Sequence, residues 1–172
     1  MADVLTPEQR RRCMSKVCSK NTKPEMIVRQ YLFAHGFRFR VNVKRLPGTP
    51  DVVLSKYKTV IFVNGCFWHG HEDCKYAHLP QTNADFWKAK IGQNKLRDLQ
   101  KRLQLRSMGW HVILVWSCQL KAKNKELTLK SIERTLNKIL LDSYSTKMQS
   151  YQEQESEHFI AAEELLPYEK KC

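Results

Sequence analysis

Apolar and polar positions recur along this chain with the two periods that distinguish helices from strands. Residues 6–20 are basic, with Pro7 suited to a helix start and Met14 standing almost alone as an apolar position, which predicts a basic helix or arm. The segment from Thr22 to Glu25 has the spacing of a capping box, and an apolar helical stripe follows it and ends at Gly36. A second helix is therefore predicted there.

Beyond residue 36 the pattern predicts a mixed α/β fold. Phe37, Phe39 and Val41 alternate with polar residues, which is typical of a strand with one buried face. The remaining elements follow from short apolar runs and longer helical stripes, the longer helix being closed by Gly109. In chain order they are strands at 37–43, 51–54 and 59–63, a helix at 84–108, a strand at 110–116 and a helix around 127–141.

The charge of the chain is strongly positive and unevenly distributed. Among its 172 residues, 30 Lys and Arg oppose 17 Asp and Glu, for a formal net charge of +13. Residues 8–45 contain eleven Lys and Arg against two acids, whereas residues 149–172 contain six glutamates against two lysines. Such a surplus favours phosphate contacts and predicts nucleic acid as the partner, the alternative being that the basic residues only solvate helix faces. We predict a domain over residues 1–143, with a basic arm of about residues 1–21, and an acidic tail over 144–172.

Two further classes are disfavoured by the sequence. The longest apolar run has only about five residues, far from the roughly 20 that a membrane span needs, and the first residues do not resemble a secretory signal. A cytoplasmic protein without a membrane partner is therefore expected. Its six cysteines should be reduced there, which favours metal binding, catalysis or burial over disulfides.

The segment from Gly65 to Cys74 has the highest density of metal-ligating residues. Cys66, His71 and Cys74 lie within this loop, and Cys118 follows the strand at 110–116, so that adjacent strands would bring it to the same end of the sheet. Zinc in structural sites takes four such ligands. A structural Cys3His zinc site is predicted from these four residues, with His69 and His78 as competing choices for the histidine and buried cysteines without metal as the alternative.

Asp51 directly follows Pro50 at the start of a predicted strand. It is the only carboxylate between Glu25 and Glu72. A carboxylate at this place can bind a hard cation such as Mg²⁺, as in nuclease sites, although an aspartate that caps a turn gives the same dipeptide. Taken alone, the residue leaves both interpretations open.

Four segments of the sequence together resemble the very-short-patch repair (Vsr) DNA mismatch endonucleases. They are Leu46–Asp51, Val60–His69, Phe86–Asn94 with Arg97 and Asp98, and Gly109 through Cys118, and the similarity extends from about Arg10 to Leu140. The resemblance implies a variant of the restriction-endonuclease, PD-(D/E)xK-type fold, a mixed sheet flanked by helices with a structural zinc site. It also implies a Mg²⁺-dependent DNA endonuclease that nicks beside the thymine of a T:G mismatch left by deamination of 5-methylcytosine.

The resemblance assigns catalytic roles to four side chains and one backbone carbonyl. Asp51 and the backbone carbonyl of Val63 would bind Mg²⁺, and His69 would handle the proton at the phosphate. Glu25 and Asp98 would hold waters around the metal and orient neighbouring groups. Glu25 could instead complete the capping box, and Asp98 could pair with Arg97 or Arg102.

The family carries histidine where this chain has Asn64, which cannot exchange a proton near neutral pH but can hydrogen-bond a water. More of the proton transfer would then fall on His69. The wider restriction-nuclease pattern would place an acid and a lysine on the strand at 59–63, and residues 61–65 offer neither.

Recognition of DNA is implied by a second set of residues. By resemblance, Phe67, Trp68 and Trp87 form an aromatic wedge that enters the base stack, Met14 enters from the minor groove, and Asn94 contacts the DNA. Aromatic faces recover part of the stacking that is lost when a weak T:G pair opens. From the residues alone, Phe67 and Trp68 could equally be core residues.

Three functional hypotheses remain at this stage: a mismatch endonuclease, a zinc-stabilised DNA-binding protein that has lost efficient cleavage, and a restriction-type endonuclease for unmismatched sites. The first implies catalytic Mg²⁺, structural Zn²⁺, and double-stranded DNA with a T:G mismatch as substrate. It also implies a monomer at the nucleoid of a bacterial-type cytoplasm, with mismatch-repair proteins as candidate partners.

Overall fold

The computed structural model describes residues 6–16, 18 and 20–164, which form four α-helices and three strands. The elements are α1 Pro7–Ser15, α2 Lys23–Ala34, β1 Val52–Leu54, β2 Thr59–Asn64, α3 Ala84–Ser107, β3 His111–Trp116 and α4 Lys125–Glu164. Their order confirms the mixed α/β fold predicted from the sequence. Among the described residues, no helix is long and apolar enough to cross a membrane.

The three strands form one mixed sheet in the order β1-β2-β3. β1 runs antiparallel to β2, with Val52 opposite Ile61. β2 runs parallel to β3, with Asn64 opposite Trp116. Parallel neighbours need a long crossover, which α3 supplies between them. This topology brings the start of β1 and the ends of β2 and β3 to the same edge of the sheet.

The core lies between the sheet and the helices. Leu54, Val60 and Ile61 in the strands are fully buried, and so are Val28 and Leu32 on α2. Burial of each such side chain contributes about 1.5–3 kcal/mol. Because all three residues of β1 are buried, this strand is fixed on both faces although it is short.

The prediction of a strand at 37–43 is wrong, because the structure has only one isolated bridge in this segment. Arg40 exchanges two backbone hydrogen bonds with Val53, at 2.9 and 2.8 Å, and forms no longer ladder. Phe37 is buried as the alternation predicts, but Val41 is 45% exposed and Asn42 has a φ of 49°. The left-handed conformation of Asn42 interrupts the extended backbone, and β1 itself offers only three residues to pair with.

Helix ends agree with the sequence at several points. Thr6 and Gln9 form a capping box at the start of α1, with Pro7 at the first helical turn. α3 ends at Ser107, and Gly109 follows with a φ of 75°. A glycine adopts that conformation without strain, as expected for a residue that terminates a helix.

The last helix is longer than predicted, since α4 continues from Lys125 to Glu164 rather than ending near residue 141. No glycine or proline interrupts residues 125–164, and glutamine, glutamate, lysine and methionine favour helix there. Close contacts divide the chain into two units, Met1–Glu133 and Arg134–Cys172. Residues 1–5, 17 and 19 of the predicted arm and residues 165–172 of the predicted tail lie outside the described residues.

Candidate functional site

Asp51 lies at the start of β1, where the antiparallel pairing places it beside the end of β2. Its Oδ2 accepts a hydrogen bond of 2.8 Å from the backbone N–H of Val63. Burial raises the pKa of this carboxyl above its ordinary value, although the bond from Val63 acts in the opposite direction. The side chain is therefore a half-buried carboxylate rather than the solvent-exposed cap of a turn.

Glu25, on the first turn of α2, lines the same cavity as Asp51 and is only 4% exposed. The capping box predicted here is not formed, because the Thr22 hydroxyl donates to Glu25 Oε1 at 2.7 Å instead of accepting a backbone N–H. Glu25 Oε2 accepts from the backbone of Asn21 and from Arg29 Nη2, both at 3.0 Å. The carboxylate thus has a donor on each oxygen.

His69, in the loop that follows β2, forms a hydrogen bond with Asp98 on α3. His69 Nδ1 lies 2.5 Å from Asp98 Oδ2, so Asp98 pairs with His69 and not with Arg97 or Arg102 as its neighbours had suggested. A histidine that donates from Nδ1 to a carboxylate keeps Nε2 as an acceptor. This pairing gives His69 the arrangement of a general base with an orienting partner.

One cavity of about 710 Å³ brings these groups together. Its lining includes the side chains or backbone of Glu25, Asp51, Val63, Asn64, His69 and Asp98. A second cavity of about 490 Å³ shares Asn64, His69 and Asp98 with it, and adds Lys95 and His71. The residues predicted to be catalytic therefore face a common space, within which Asn64 is buried to 7% exposure.

The loop after β2 packs directly against α3. Asn94 Nδ2 donates to the backbone carbonyl of Trp68 at 2.9 Å, and its Oδ1 accepts from Arg97. At Gly70, whose φ is 59°, an added Cβ would lie 2.6 Å from Ile91 Cγ2. Only glycine permits this approach, which fixes His69 against the helix that carries Asp98.

Four aromatic rings form a cluster at the start of α3. Phe67, Trp68 and Trp87 meet edge to face with centroids 5.2–5.8 Å apart, and Phe86 adjoins Trp87 at 5.3 Å. The first three are half-buried, and Phe86 is 60% exposed. A fully buried core would not leave these rings accessible, so the cluster is available for contact with a partner.

Cys66, His71, Cys74 and Cys118 converge beside the ends of β2 and β3. Their ligand atoms all lie within 4.8 Å of one another, and Cys118 Sγ is 3.4 Å from His71 Nδ1. Four soft or borderline donors at this spacing fit a tetrahedral metal ion. His69 is occupied by Asp98 and His78 is exposed outside the cluster, so His71 is the histidine that the fold brings to it.

Neighbouring groups hold this cluster in place. Ser117 Oγ lies 3.3 Å from Cys66 Sγ, and the His71 ring stacks on Trp116 at 4.1 Å between centroids. Burial opposes ionisation of Cys66, but hydrogen bonds from Ser117 and Cys118 lower its pKa below the ordinary value. Burial and the contact with Cys66 raise the pKa of Cys118 to about 12. Bound cations lower the pKa of coordinating thiols, so a metal would favour the thiolates of both residues.

One residue predicted for the site lies outside the two cavities, and two residues that contact the site were not predicted. Met14 lies on α1, 44% exposed, and lines neither of the two cavities. Arg29 and Ser117 contact site residues and were missed, because their partners are remote in sequence or give no motif. The four-residue spacing of Glu25 and Arg29 on α2 was the one available signal.

The fold and the site define a mixed α/β protein with a net positive charge. Its cavity is lined by carboxylates and a histidine, and a Cys3His cluster lies beside the ends of β2 and β3. Residues 2–76 match the family model described as DNA mismatch endonuclease Vsr. The chain belongs to this family of DNA endonucleases, as its relatives also show.

Three relatives illustrate the similarity. The type II nicking enzyme V.NmeAIP of Neisseria meningitidis is 48% identical over 139 residues, which cover 81% of this chain and 97% of that protein. The type II nicking enzyme V.XorIIP of Xanthomonas oryzae is 49% identical over 120 residues, covering 70% and 88%. The DNA mismatch endonuclease Vsr of Escherichia coli is 39% identical over 125 residues, covering 73% and 80%.

Proposed function

We propose that this protein nicks double-stranded DNA next to the thymine of a T:G mismatch and so initiates very-short-patch repair of deaminated 5-methylcytosine. The observation that supports this most is the meeting of Glu25, Asp51, Asn64, His69 and Asp98 at one cavity in a chain of this family. Its fold would then be the restriction-endonuclease variant that lacks the usual acid and lysine on the central strand.

The residues at the cavity fit a hard divalent cation. One Asp51 oxygen is held by Val63 N–H, while the other has no hydrogen-bond partner among the described residues. Carboxylate and carbonyl oxygens are the ligands that Mg²⁺ prefers. We infer that Asp51 and the backbone carbonyl of Val63 hold Mg²⁺, with Glu25 nearby. The ion would supply positive charge at the phosphate and make water a better nucleophile.

His69 is placed to take the proton of the attacking water. Its Nδ1 is held by Asp98, which orients the ring and stabilises the imidazolium that forms. Asn64 lines the same cavity, but its amide does not exchange protons near neutral pH. His69 therefore carries the proton transfer, and Asn64 serves as a hydrogen-bonding group.

The Cys3His cluster is proposed to hold structural zinc. Cys66, His71 and Cys74 come from one loop and Cys118 from the turn after β3, so the metal would join the ends of two parallel strands. A closed set of four protein ligands leaves no position for substrate, as in structural rather than catalytic zinc sites.

The aromatic cluster is proposed to act on the mismatch. Phe67, Trp68 and Trp87 present half-buried rings beside the catalytic cavity, and a T:G wobble is easier to unstack than a matched pair. Met14 on the basic arm would approach from the minor groove, and Asn94 fixes the carbonyl of Trp68 as well as lying near the DNA.

The proposed substrate also suggests an oligomeric state, a cellular location and partners for the enzyme. The enzyme would act as a monomer on chromosomal DNA in a bacterial cytoplasm, with mismatch-repair proteins as candidate partners. The names of several relatives as type II nicking enzymes favour cleavage of one strand rather than two. A DNA-binding protein that has lost cleavage through Asn64 is the competing hypothesis.

An Asp51→Asn variant tests this proposal. Nicking of a T:G duplex with Mg²⁺ should fall by about 100-fold or more, because the amide cannot replace the carboxylate at the cation. DNA binding should persist. Asp142→Asn, an exposed change on α4, is the matched control and should nick like the wild type. Nicking by Asp51→Asn at the wild-type rate would exclude the proposed site.

A further inference from the structure

Arg29 on α2 contacts the backbone of Asp51, the carboxylate of Glu25 and the segment before α2. Its Nη2 donates to Asp51 O at 3.1 Å and to Glu25 Oε2 at 3.0 Å. Its Nη1 donates to Asn21 Oδ1 at 2.7 Å. The residue is only 7% exposed, and its Nε has no hydrogen-bond partner in the structure that is described.

This arrangement is a poor device for stability alone. Burying an ion pair costs desolvation energy that the pair regains only when all its polar atoms are satisfied, and hydrophobic replacements are often as stable. The unsatisfied Nε adds to that cost. Asn21 further adopts a φ of 54°, and in that conformation its backbone N–H meets Glu25 while its side chain meets Arg29.

We propose that Arg29 is a positioning residue that sets the orientation of Asp51 for a divalent cation, an inference that rests on the proposed function. Two anchors fix Asp51: Val63 N–H holds one carboxylate oxygen, and Arg29 holds the backbone carbonyl of the same residue. Because the backbone carbonyl and Oδ2 of Asp51 are both held, the orientation of the other carboxylate oxygen, Oδ1, is fixed as well. The same guanidinium offsets the charge of Glu25, so that two carboxylates can share the cavity.

The planar guanidinium is essential to this role. One nitrogen reaches two acceptors and a second reaches a third, a division that the single ammonium of lysine cannot reproduce. Arg29→Lys keeps the charge but loses the planar guanidinium, whereas Arg29→Met keeps only an unbranched apolar stem and loses both. Cation affinity should therefore decrease from wild type to Arg29→Lys to Arg29→Met.

The test is a calorimetric titration of the full chain with Mg²⁺ alone. Partners that orient metal ligands typically contribute about 10- to 100-fold in metal affinity, so Arg29→Met should raise the Kd for Mg²⁺ by that factor. Nicking by this variant should recover at saturating Mg²⁺ with an unchanged KM for DNA. Lys130→Met is the matched control, since Lys130 and Glu126 form an exposed ion pair of 2.7 Å with the same four-residue spacing on α4.

The outcomes separate this inference from the proposed function. If the wild type binds Mg²⁺ and Arg29→Met binds it equally well, the positioning role is overturned while the cation site stands. If the wild type binds no Mg²⁺, both are overturned. Should Arg29→Met fail to fold, Arg29→Lys carries the test, and an affinity equal to that of the wild type would contradict the role of the planar guanidinium.

Discussion

Several ionisable side chains at the candidate site are buried, and their burial lowers the stability of the folded protein. Asp51 is a carboxylate whose pKa is raised by burial, and the neighbouring pair of Glu25 and Arg29 is almost fully buried. Such groups are costly to desolvate, and proteins retain them where function requires the charge. Replacing the Asp51 carboxylate by a neutral group should therefore raise the stability of the protein while lowering its activity.

Asp51→Asn should stabilise the protein at neutral pH. A raised carboxyl pKa means that folding favours the neutral form, so this contribution is present below the ordinary value of 3.8 and is lost as pH rises through the folded value. The amide stays neutral and still accepts from Val63 N–H. Without added Mg²⁺, Tm should rise at pH 7 relative to wild type, and the difference should vanish below pH 3.8.

The exposed Asp142→Asn change serves as the control in the same melting experiments. A Tm for Asp51→Asn that is lower than wild type at pH 7 would show that ionised Asp51 stabilises the fold. That result would contradict the environment described for this carboxylate.

Most residues that line the candidate site could be named from the sequence, but the contacts between them could not. The resemblance supplied Asp51, His69 and Asp98, and the structure brings them to one cavity. The pairing of His69 with Asp98 joins residues 29 positions apart, and the bond from Arg29 to Asp51 spans 22. Such distances carry no local pattern, so only the fold reveals these partners.

Among the elements, the loop from Gly65 to Cys74 carries three of the four residues of the Cys3His cluster. Cys118→Ser should remove one of four ligands, lower zinc content from about one per chain, and destabilise the fold, because binding energy at a structural zinc is folding energy. A loss of several kcal/mol corresponds to a decrease in Tm of about 10 °C or more for a chain of this size.

Metal analysis and thermal melting of the purified protein check that expectation. Cys13→Ser is the matched control, since Cys13 is exposed on α1 and outside the cluster. Well-folded wild-type protein without zinc would contradict the structural role of the cluster.

The aromatic cluster makes a separate prediction for the start of α3. Trp68→Ala should reduce the preference for T:G over matched duplexes, because stacking of a base on an aromatic ring contributes about 1–3 kcal/mol. Binding titrations of both duplexes measure this preference. Phe33→Ala, which removes a 62% exposed ring on α2, should leave it unchanged. Equal losses on both duplexes for Trp68→Ala would identify a packing role instead.

Elements with strong periodicity were predictable, and those that depend on tertiary context were not. The long helix at 84–107 and the strands at 59–64 and 111–116 lie close to their predicted bounds. The segment 37–43 has the alternation of a strand, but its partner β1 offers only three residues and Asn42 turns the chain. Alternation indicates which face can be buried, and it does not supply a neighbour to pair with.

The whole molecule has a net charge of +13, and the carboxylates of Glu25, Asp51 and Asp98 lie in its candidate site. A chain of this charge attracts the DNA polyanion. Electrostatic attraction of this kind is independent of base sequence and decreases as salt increases. Discrimination of a mismatch must then come from the aromatic cluster and the geometry of the cavity. We therefore expect salt-sensitive binding to any duplex but selective cleavage.

Nicking beside a T:G mismatch is tested most directly by a strand-resolved nicking assay with the wild-type chain and Mg²⁺. The duplexes differ only in a T:G or a T:A pair, and each pair is placed in several flanking sequences. We expect one nick, in the thymine strand beside the mismatch, with the T:A duplex left intact. No cleavage of any T:G duplex under Mg²⁺, or equal cleavage of both duplexes, would contradict it.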